Sequence, residues 1–374
     1  MTATDNDSTA SLAGLGPSSR VADAYKDLIR YIHRHRLGEG GRLPTQEELR
    51  GELGYSHHSL SAAMGLLADG GVVSRKPRVG TIVQDPEATV RGVWTVGLIT
   101  QPREVMEVPF FAFLVHLLQS ELIRLGCRVH MYPNADDSPS DRLQDFPGLL
   151  EEVEANRVDG VMATVLLRPG EVHRLAETGV VLVQVGPSGA CANGVCIDRR
   201  SMCRRAAESL IAEGCRRLAV VTNFGPPSED DGFWRGFREA LGECEEYEGD
   251  GEALYEGNGP EAGAEVAQQL LGRPAVERPD GLIIGDDRIA MGLTAELSRT
   301  EDYRPRIAVQ ANRQVPLAFA LPVRRYCVDI EAMARLGAEK MLRQLRNPAA
   351  PDAVTWVEPG REGERAEIRM RNEE

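Results

Sequence analysis

The stretch GRLPTQEELRGELGYSHHSLSAAMGLLADGGVVSRKPRVGTIV, residues 41–83, decides the fold of the N-terminal part of the chain. Thr45, followed three residues later by Glu48, is the pattern of a capping box and predicts a short helix that Gly54 ends. Ser56 is placed to cap the next helix, which has one apolar face. Two short apolar runs joined by a basic turn follow, and they predict a β-hairpin after the two helices.

Before this stretch, apolar residues recur at helical spacing and predict a further helix from about Arg20 to Leu37. The first 19 residues have no basic flank and no apolar core, so we expect a disordered arm without an export signal. No run of about 18 apolar residues occurs anywhere, so we expect neither membrane insertion nor a location outside the cytoplasm. The formal net charge is −14, yet residues 1–85 hold ten basic and ten acidic residues, which indicates different partners for the two parts.

Residues 41–83 resemble the winged-helix domain of GntR-type transcription regulators, with LPT-x-x-EL, a G-x-S turn, GLL-x-x-GG and GTIV in that family's order, and we expect the whole domain to span residues 20–85. The resemblance implies binding to double-stranded operator DNA, with the third helix in the major groove and the wing at the minor groove. The expected DNA-contacting residues are Thr45, Gln46, Ser56, His57, His58, Ser59, Ser61, Arg75, Lys76, Arg78 and Thr81.

The chain departs from this family at the expected contact face. Glu47, His57 and Ser61 stand where the family usually has arginine, and Arg78 stands where the wing usually has its first glycine. The histidines still offer hydrogen-bond donors to base edges or phosphates. The alternative is a degenerate winged helix that no longer binds DNA specifically.

After a short linker at residues 86–92, apolar runs of four to seven residues alternate with helical stretches through residues 93–374. This alternation predicts an α/β fold with two doubly wound parallel sheets, in which ligands bind at the carboxyl ends of strands. The strand ends carry no Gly-rich phosphate loop, no GxSxG and no HExxH, so we expect no enzyme activity and no cofactor. Seven cysteines without CxxC spacing indicate reduced packing residues, and no metal site is expected.

Residues 93–345 resemble the effector domain of LacI-type regulators, which is similar to periplasmic sugar-binding proteins. The resemblance rests on the order of VGLIT, VDGVM, an aspartate at Asp198 and PDGLIIGDDRIAMG. It implies a homodimer paired through helices of the first lobe, with two lobes that close on a small, sugar-like molecule. Phe233 stands where the family commonly places a sugar-gripping arginine, and Ala311 and Asn312 replace its late aspartate.

The expected effector-contacting residues are Phe110, Phe111, Asn223, Phe233, Trp234, Asp287, Asn312 and Arg313. Core packing is the alternative for each aromatic residue, and helix capping is the alternative for Asp287, unless Asp286 caps that helix. The sequence therefore favours a ligand-responsive transcription regulator, and a repressor in particular. The alternatives are a small-molecule binding protein with a degenerate winged helix and an unrecognised enzyme.

Overall fold

The computed structural model describes residues 19–88, 91–135, 140–186, 192–222, 231–243, 251–364 and 367–371. The predicted N-terminal arm lies outside these residues, except for Ser19 at its end. The chain divides into two compact units, of which the first comprises residues 1–185, 191–194 and 334–352 and the second the remainder. The predicted winged helix and the first lobe therefore belong to the same unit.

The N-terminal module has three helices and a two-stranded antiparallel hairpin, as the sequence predicts. Its elements are α1 (Arg20–Arg34), α2 (Gln46–Leu53), α3 (His57–Asp69), β1 (Val73–Lys76) and β2 (Gly80–Val83). The capping box of Thr45 and Glu48 is present, Gly54 ends α2 in the left-handed conformation, and Ser56 caps α3. Leu60, Ala63, Met64 and Leu67 form the buried face of α3, as predicted.

The chain then alternates strands and helices, which confirms the predicted α/β class. The first elements are β3 (Thr95–Thr100), α4 (Pro102–Glu107), α5 (Pro109–Arg124), β4 (Arg128–Pro133), α6 (Leu149–Glu154), β5 (Gly160–Ala163), α7 (Pro169–Glu177), β6 (Val181–Gly186) and β7 (Gly194–Ile197). There follow α8 (Arg199–Ala212), β8 (Leu218–Val221), α9 (Gly232–Glu243), β9 (Glu252–Leu254), α10 (Gly259–Gly272), β10 (Gly281–Ile284), α11 (Asp287–Leu297) and β11 (Arg306–Asn312). The last are β12 (Arg324–Val328), α12 (Ile330–Arg346), β13 (Val354–Glu358), β14 (Gly360–Arg361) and β15 (Glu367–Arg371).

Two sheets carry these strands. One has the order β15-β13-β7-β6-β5-β3-β4, and the other has the order β14-β12-β11-β10-β8-β9. Strand β3 pairs in parallel with β4 and β5, and β10 pairs in parallel with β8 and β11, whereas β13–β15 and β12–β14 are antiparallel. The central strands β3, β5, β8 and β10 are buried along their whole length, because helices cover both faces of a doubly wound sheet.

Helix α1 also contacts the amino end of the first sheet through a buried ion pair. The Lys26 ammonium lies 2.7 and 2.9 Å from the two carboxylate oxygens of Asp159, which also accepts a 2.8 Å hydrogen bond from the Thr95 N–H. The Lys26 ammonium and the Arg30 guanidinium lie 5.8 and 5.3 Å from the centre of the Trp94 ring, within the range of cation–π attraction.

The expected linker is tied to the same unit. Glu87 pairs with Arg346 at the end of α12, and the Arg346 guanidinium also donates to the Glu87 carbonyl at 2.8 Å. Nδ1 of His33 on α1 lies 3.9 Å from the Glu87 carboxylate. Burial and the Arg346 charge lower the pKa of His33, although the Glu87 carboxylate opposes this change. The segment around Glu87 is thus held by side chains as well as by chain connectivity.

Candidate DNA-binding and effector-binding sites

The start of α3 presents most of the predicted DNA-contacting residues to solvent. Ser56, His57 and His58 are exposed, and Ser61 is half-buried. Ser59 is different, because it is buried and its hydroxyl lies 3.0 Å from the Ser56 hydroxyl. The contact of Ser59 with DNA stays a prediction, and the burial of its side chain counts against it.

Helix α2 has a net negative charge, because its one arginine, Arg50, stands against Glu47, Glu48 and Glu52. Arg50 pairs with Glu47 at 2.8 Å, with both side chains exposed. In the capping box the Thr45 backbone N–H and the Thr45 hydroxyl both donate to the Glu48 carboxylate, and these hydrogen bonds hold the pKa of Glu48 below its usual range. Gln46, half-buried, begins the helix. The carboxylate of Glu47 thus partly neutralises Arg50, which was not among the predicted DNA-contacting residues.

The wing carries the densest exposed positive charge of the module. Arg75, Lys76 and Arg78 are all exposed, and Thr81 on β2 is half-buried. The base of the wing is packed against Arg42, which the sequence analysis missed. A Cβ on Gly80 would lie 3.1 Å from the Arg42 Nε, and the Arg42 backbone forms an isolated bridge with β2. Arg42 therefore adds a fourth cation to this surface.

In the second unit, two predicted effector residues meet at the carboxyl ends of adjacent strands. The Asn312 amide, at the end of β11, donates a 2.9 Å hydrogen bond to the carboxylate of Asp287, which follows β10. Asp286 caps α11 by accepting from the backbone N–H groups of Arg288 and Ile289, so Asp287 is not the cap. Burial, reinforced by the neighbouring charge of Asp286, raises the pKa of Asp287 to about 7.

Beside this pair lies a small pocket. It has a volume of about 110 Å³ and is lined by Ala311, Asn312, Arg313, Pro316, Leu317, Arg325, Cys327, Glu362 and Gly363. Arg313 is oriented by Asp329, whose carboxylate lies 2.8 Å from the guanidinium. Asn312 thus joins the pocket to Asp287, and Arg313 lies on the pocket wall.

The aromatic residues predicted to contact the effector differ in how deeply they are buried. Phe233 is fully buried in the core of the second unit, so its ring has no exposed surface with which to contact an effector, and the core-packing alternative describes it. The buried Arg199 guanidinium lies 5.0 Å from the centre of that ring. Trp234 is partly buried against the same core. In the first unit, Phe110 is buried and makes an edge contact with the half-buried Phe111 at 5.2 Å.

The carboxyl end of the first sheet holds polar residues that the sequence analysis did not select. Thr100, Asn134 and Thr164 are buried at or just after the ends of β3, β4 and β5, and Gln184 is buried two residues before the end of β6. The Thr100 hydroxyl is buried and has no hydrogen-bond partner among the described residues. The pattern was available in the sequence, because a polar residue stands near the end of each predicted apolar run. Asn223, predicted to contact the effector, lies outside the described residues.

Among the described residues, no group of three or more His, Cys, Asp or Glu side chains is arranged to hold a metal ion. No helix in the same part of the chain is long and apolar enough to cross a membrane. The cysteines described as free thiols, all buried, are Cys127, Cys196, Cys203, Cys215 and Cys327. Burial raises the pKa of Cys127 to about 12, as expected for a packing residue.

The fold and the two sites define a winged-helix module joined to an α/β part with two mainly parallel sheets. Residues 20–83 match the family described as bacterial regulatory proteins, gntR family, and residues 207–365 match the periplasmic binding protein-like domain. The chain is also 39% identical over 69 residues to HTH-type transcriptional regulator Rv0792c of Mycobacterium tuberculosis. That match covers 18% of this chain and about a quarter of the relative's length.

Solved structures share the fold at low sequence identity. The Cra transcriptional dual regulator from Pseudomonas putida, in complex with fructose 1-phosphate, has a TM-score of 0.57 and 20% identity, covering 75% of this chain and 99% of that one. The transcriptional regulator CelR–cellobiose complex has a TM-score of 0.59 and 19% identity, covering 87% of this chain and 98% of that one. Residues 20–83 thus resemble the gntR-family domain and residues 207–365 the periplasmic binding protein-like domain, and the chain shares its fold with these solved transcription regulators.

Proposed function

We propose that this protein is an effector-responsive repressor that binds operator DNA through residues 20–85 and a sugar-like molecule through its binding domain. The observation that carries the proposal is the pairing of an exposed basic wing with a buried carboxylate–amide pair at the strand ends of the second unit. These two features have different chemistry, and each fits one of the two proposed ligands.

The DNA-binding half rests on the module's exposed cations and donors. Arg75, Lys76 and Arg78 project from the hairpin, and His57 and His58 stand at the exposed start of α3. A helix start of this kind presents backbone N–H groups and imidazoles to phosphates or base edges, and lysine and arginine neutralise phosphate charge. Because the exposed acidic Glu47 offsets Arg50, the operator affinity should be modest, and its salt dependence should come mainly from the cations of the wing.

The effector-binding half rests on Asp287 and Asn312. A carboxyl group and an amide side by side supply the acceptors and donors that adjacent hydroxyls require. The partly buried Trp234, in the same unit, offers apolar ring surface of the kind that sugars stack on. The sugar complexes of the Cra and CelR structures support the same class of ligand.

We further propose that the protein acts in the cytoplasm as a homodimer. Helix α5 leaves Phe113 and Ile123 with 42% and 53% of their surfaces exposed, more apolar area than a solvent-facing helix requires. A second copy paired across this helix would cover both residues. Two winged helices on one two-fold axis would then bind the two halves of a near-palindromic operator.

The test is retention of DNA from beside the protein's own gene, measured by electrophoretic mobility shift with the full chain. We expect DNA binding by the parent chain, and a Lys76→Ala/Arg78→Ala double variant should weaken it. Arg335→Ala, at an exposed position on α12, should leave it unchanged. A thermal-shift screen of sugars, sugar acids and nucleosides then seeks an effector, and Asp287→Asn should abolish any stabilisation found. A protein that binds a sugar and no DNA would instead be a binding protein with a degenerate winged helix, which the Glu47–Arg50 pairing favours.

A further inference from the structure

The tip of the wing holds an arginine in a backbone conformation that favours glycine. Arg78 has φ = 66°, and the Val79 N–H donates a 3.1 Å hydrogen bond to the Lys76 carbonyl across the turn. Proline at the second position of a four-residue turn and positive φ at the third is the type II arrangement, in which the third residue is usually glycine. The turn Lys76–Pro77–Arg78–Val79 follows this pattern with Arg78 in the glycine position.

Nothing within the described structure compensates for this strain. The Arg78 side chain is exposed, and no described residue forms an ion pair or hydrogen bond with its guanidinium. Left-handed conformations of residues other than glycine cost free energy and concentrate at functional sites. A residue that packs against nothing and strains the backbone is better explained by a ligand outside the chain.

The rest of the hairpin holds this arginine in a defined place. Arg42 packs beside Gly80 at the base of β2, and the Gly41 carbonyl accepts a 2.8 Å hydrogen bond from the Val83 N–H. The turn itself contains Pro77, whose ring fixes its own backbone angle. The hairpin is therefore anchored at its base and stiff at its tip, so a side chain presented there loses little freedom on binding.

We propose that Arg78 inserts into the minor groove beside the operator half-site and selects A·T base pairs there. The inference rests on the proposed DNA binding and adds a sequence preference to it. Narrow A·T-rich minor grooves concentrate negative potential, which attracts a guanidinium inserted into them. Arginine suits this position because its planar cation is more weakly hydrated than an ammonium. Arg75 and Lys76, which lie on the strand below the tip, would contact phosphates without reading sequence.

The experiment is selection from a randomised DNA pool with the full chain, comparing the parent with Arg78→Gly, Arg78→Lys and Lys76→Ala. The parent should enrich A·T pairs at a fixed distance outside each half-site. Arg78→Gly should lose this enrichment and bind the selected site about tenfold more weakly, with the salt dependence reduced by about one phosphate contact. Arg78→Lys should retain the charge but lose most of the A·T enrichment, whereas Lys76→Ala should weaken binding uniformly and keep it.

Thermal unfolding separates this role from a structural one. Arg78→Gly should raise the melting temperature while it weakens DNA binding, because glycine adopts the left-handed conformation without strain. The matched control is Asn156→Gly, which relaxes another left-handed residue (φ = 54°) outside the winged helix and should leave DNA binding unchanged. Equal A·T enrichment by the parent and Arg78→Gly would overturn the inference and leave the proposed function standing. A parent that selects no DNA would overturn both.

Discussion

Lys26→Met should markedly destabilise the first unit, because it removes one half of a buried ion pair. The two side chains are only 7% and 11% exposed, and the Lys26 ammonium bonds both carboxylate oxygens of Asp159. After the substitution the carboxylate keeps the Thr95 N–H as a partner but has no counter-charge within hydrogen-bond distance. Removing one member of a buried pair costs about 3 to 5 kcal/mol, and we expect the lower end because methionine retains most of the packing of the lysine stem.

A double-mutant cycle measures the interaction itself. Asp159→Asn leaves the Lys26 ammonium without its counter-charge and should lower the free energy of unfolding by a similar amount. Lys26→Met/Asp159→Asn removes both charges and should lower it by less than the sum of the two single losses. We expect a coupling free energy of about 2 kcal/mol, within the range measured for residues in one buried network. The control is Arg50→Met, which breaks the exposed pair with Glu47 and should cost less than about 0.5 kcal/mol.

The assay is urea unfolding at pH 7, followed by circular dichroism and by tryptophan fluorescence. Trp94 lies under both Lys26 and Arg30, so its emission reports directly on the contact between α1 and the first sheet. The reasoning would be refuted if Lys26→Met were as stable as Arg50→Met. It would also be refuted if the double variant lost the sum of the unfolding free energies that the two single variants lose. Either result would mean that α1 does not rest on Asp159 in solution.

Burial raises the pKa of Asp287 from 3.8 to about 7, so between these pH values the folded chain retains a proton that the unfolded chain loses. The free energy of unfolding should therefore fall as pH rises across this interval. In melting scans at several pH values, Asp287→Asn should flatten this fall. Glu47→Gln should tighten operator binding a few-fold in mobility-shift titrations, because it frees Arg50 and removes a negative charge from the contact face; unchanged affinity would place α2 away from DNA. Phe113→Glu/Ile123→Glu should yield a folded monomer by light scattering, and a persistent dimer would place the pairing surface elsewhere.

The winged helix was predictable because its signals are local. Thr45 with Glu48, Gly54 and Ser56 each act within one helical turn, so the sequence alone placed both helix starts correctly. The end of α1 was less certain, and the helix stops at Arg34, three residues before the predicted end. The burial of Ser59 was not predictable, because a small hydroxyl is compatible with either surface of a helix.

The effector residues were predictable only in part. Asp287 and Asn312 both follow predicted apolar runs, and parallel adjacent strands bring such ends together. The burial of Phe233 beneath Arg199 depends on how α8 packs against α9, which no local pattern specifies. The Lys26–Asp159 pair was beyond sequence reasoning for the same reason, since 133 residues separate the two partners and a lone lysine on a helix usually faces solvent.

Helix α1 packs in the winged helix and also contacts the first sheet, and in the proposed repressor this affects how effector binding can change DNA binding. One face of α1 packs the inside of the winged helix through Leu28 and Ile32, while Lys26 and Arg30 contact the amino end of the first sheet. A flexible tether at residues 86–92 would let the winged helix reorient freely, so that little of any change in the first lobe would reach α3. Because the buried ion pair and the Glu87–Arg346 contact restrict that freedom, we expect a displacement of the amino end of the first sheet to move α3 and the wing as well. Coupling between effector and operator should therefore depend on the integrity of the α1 contact more than on the length of the linker.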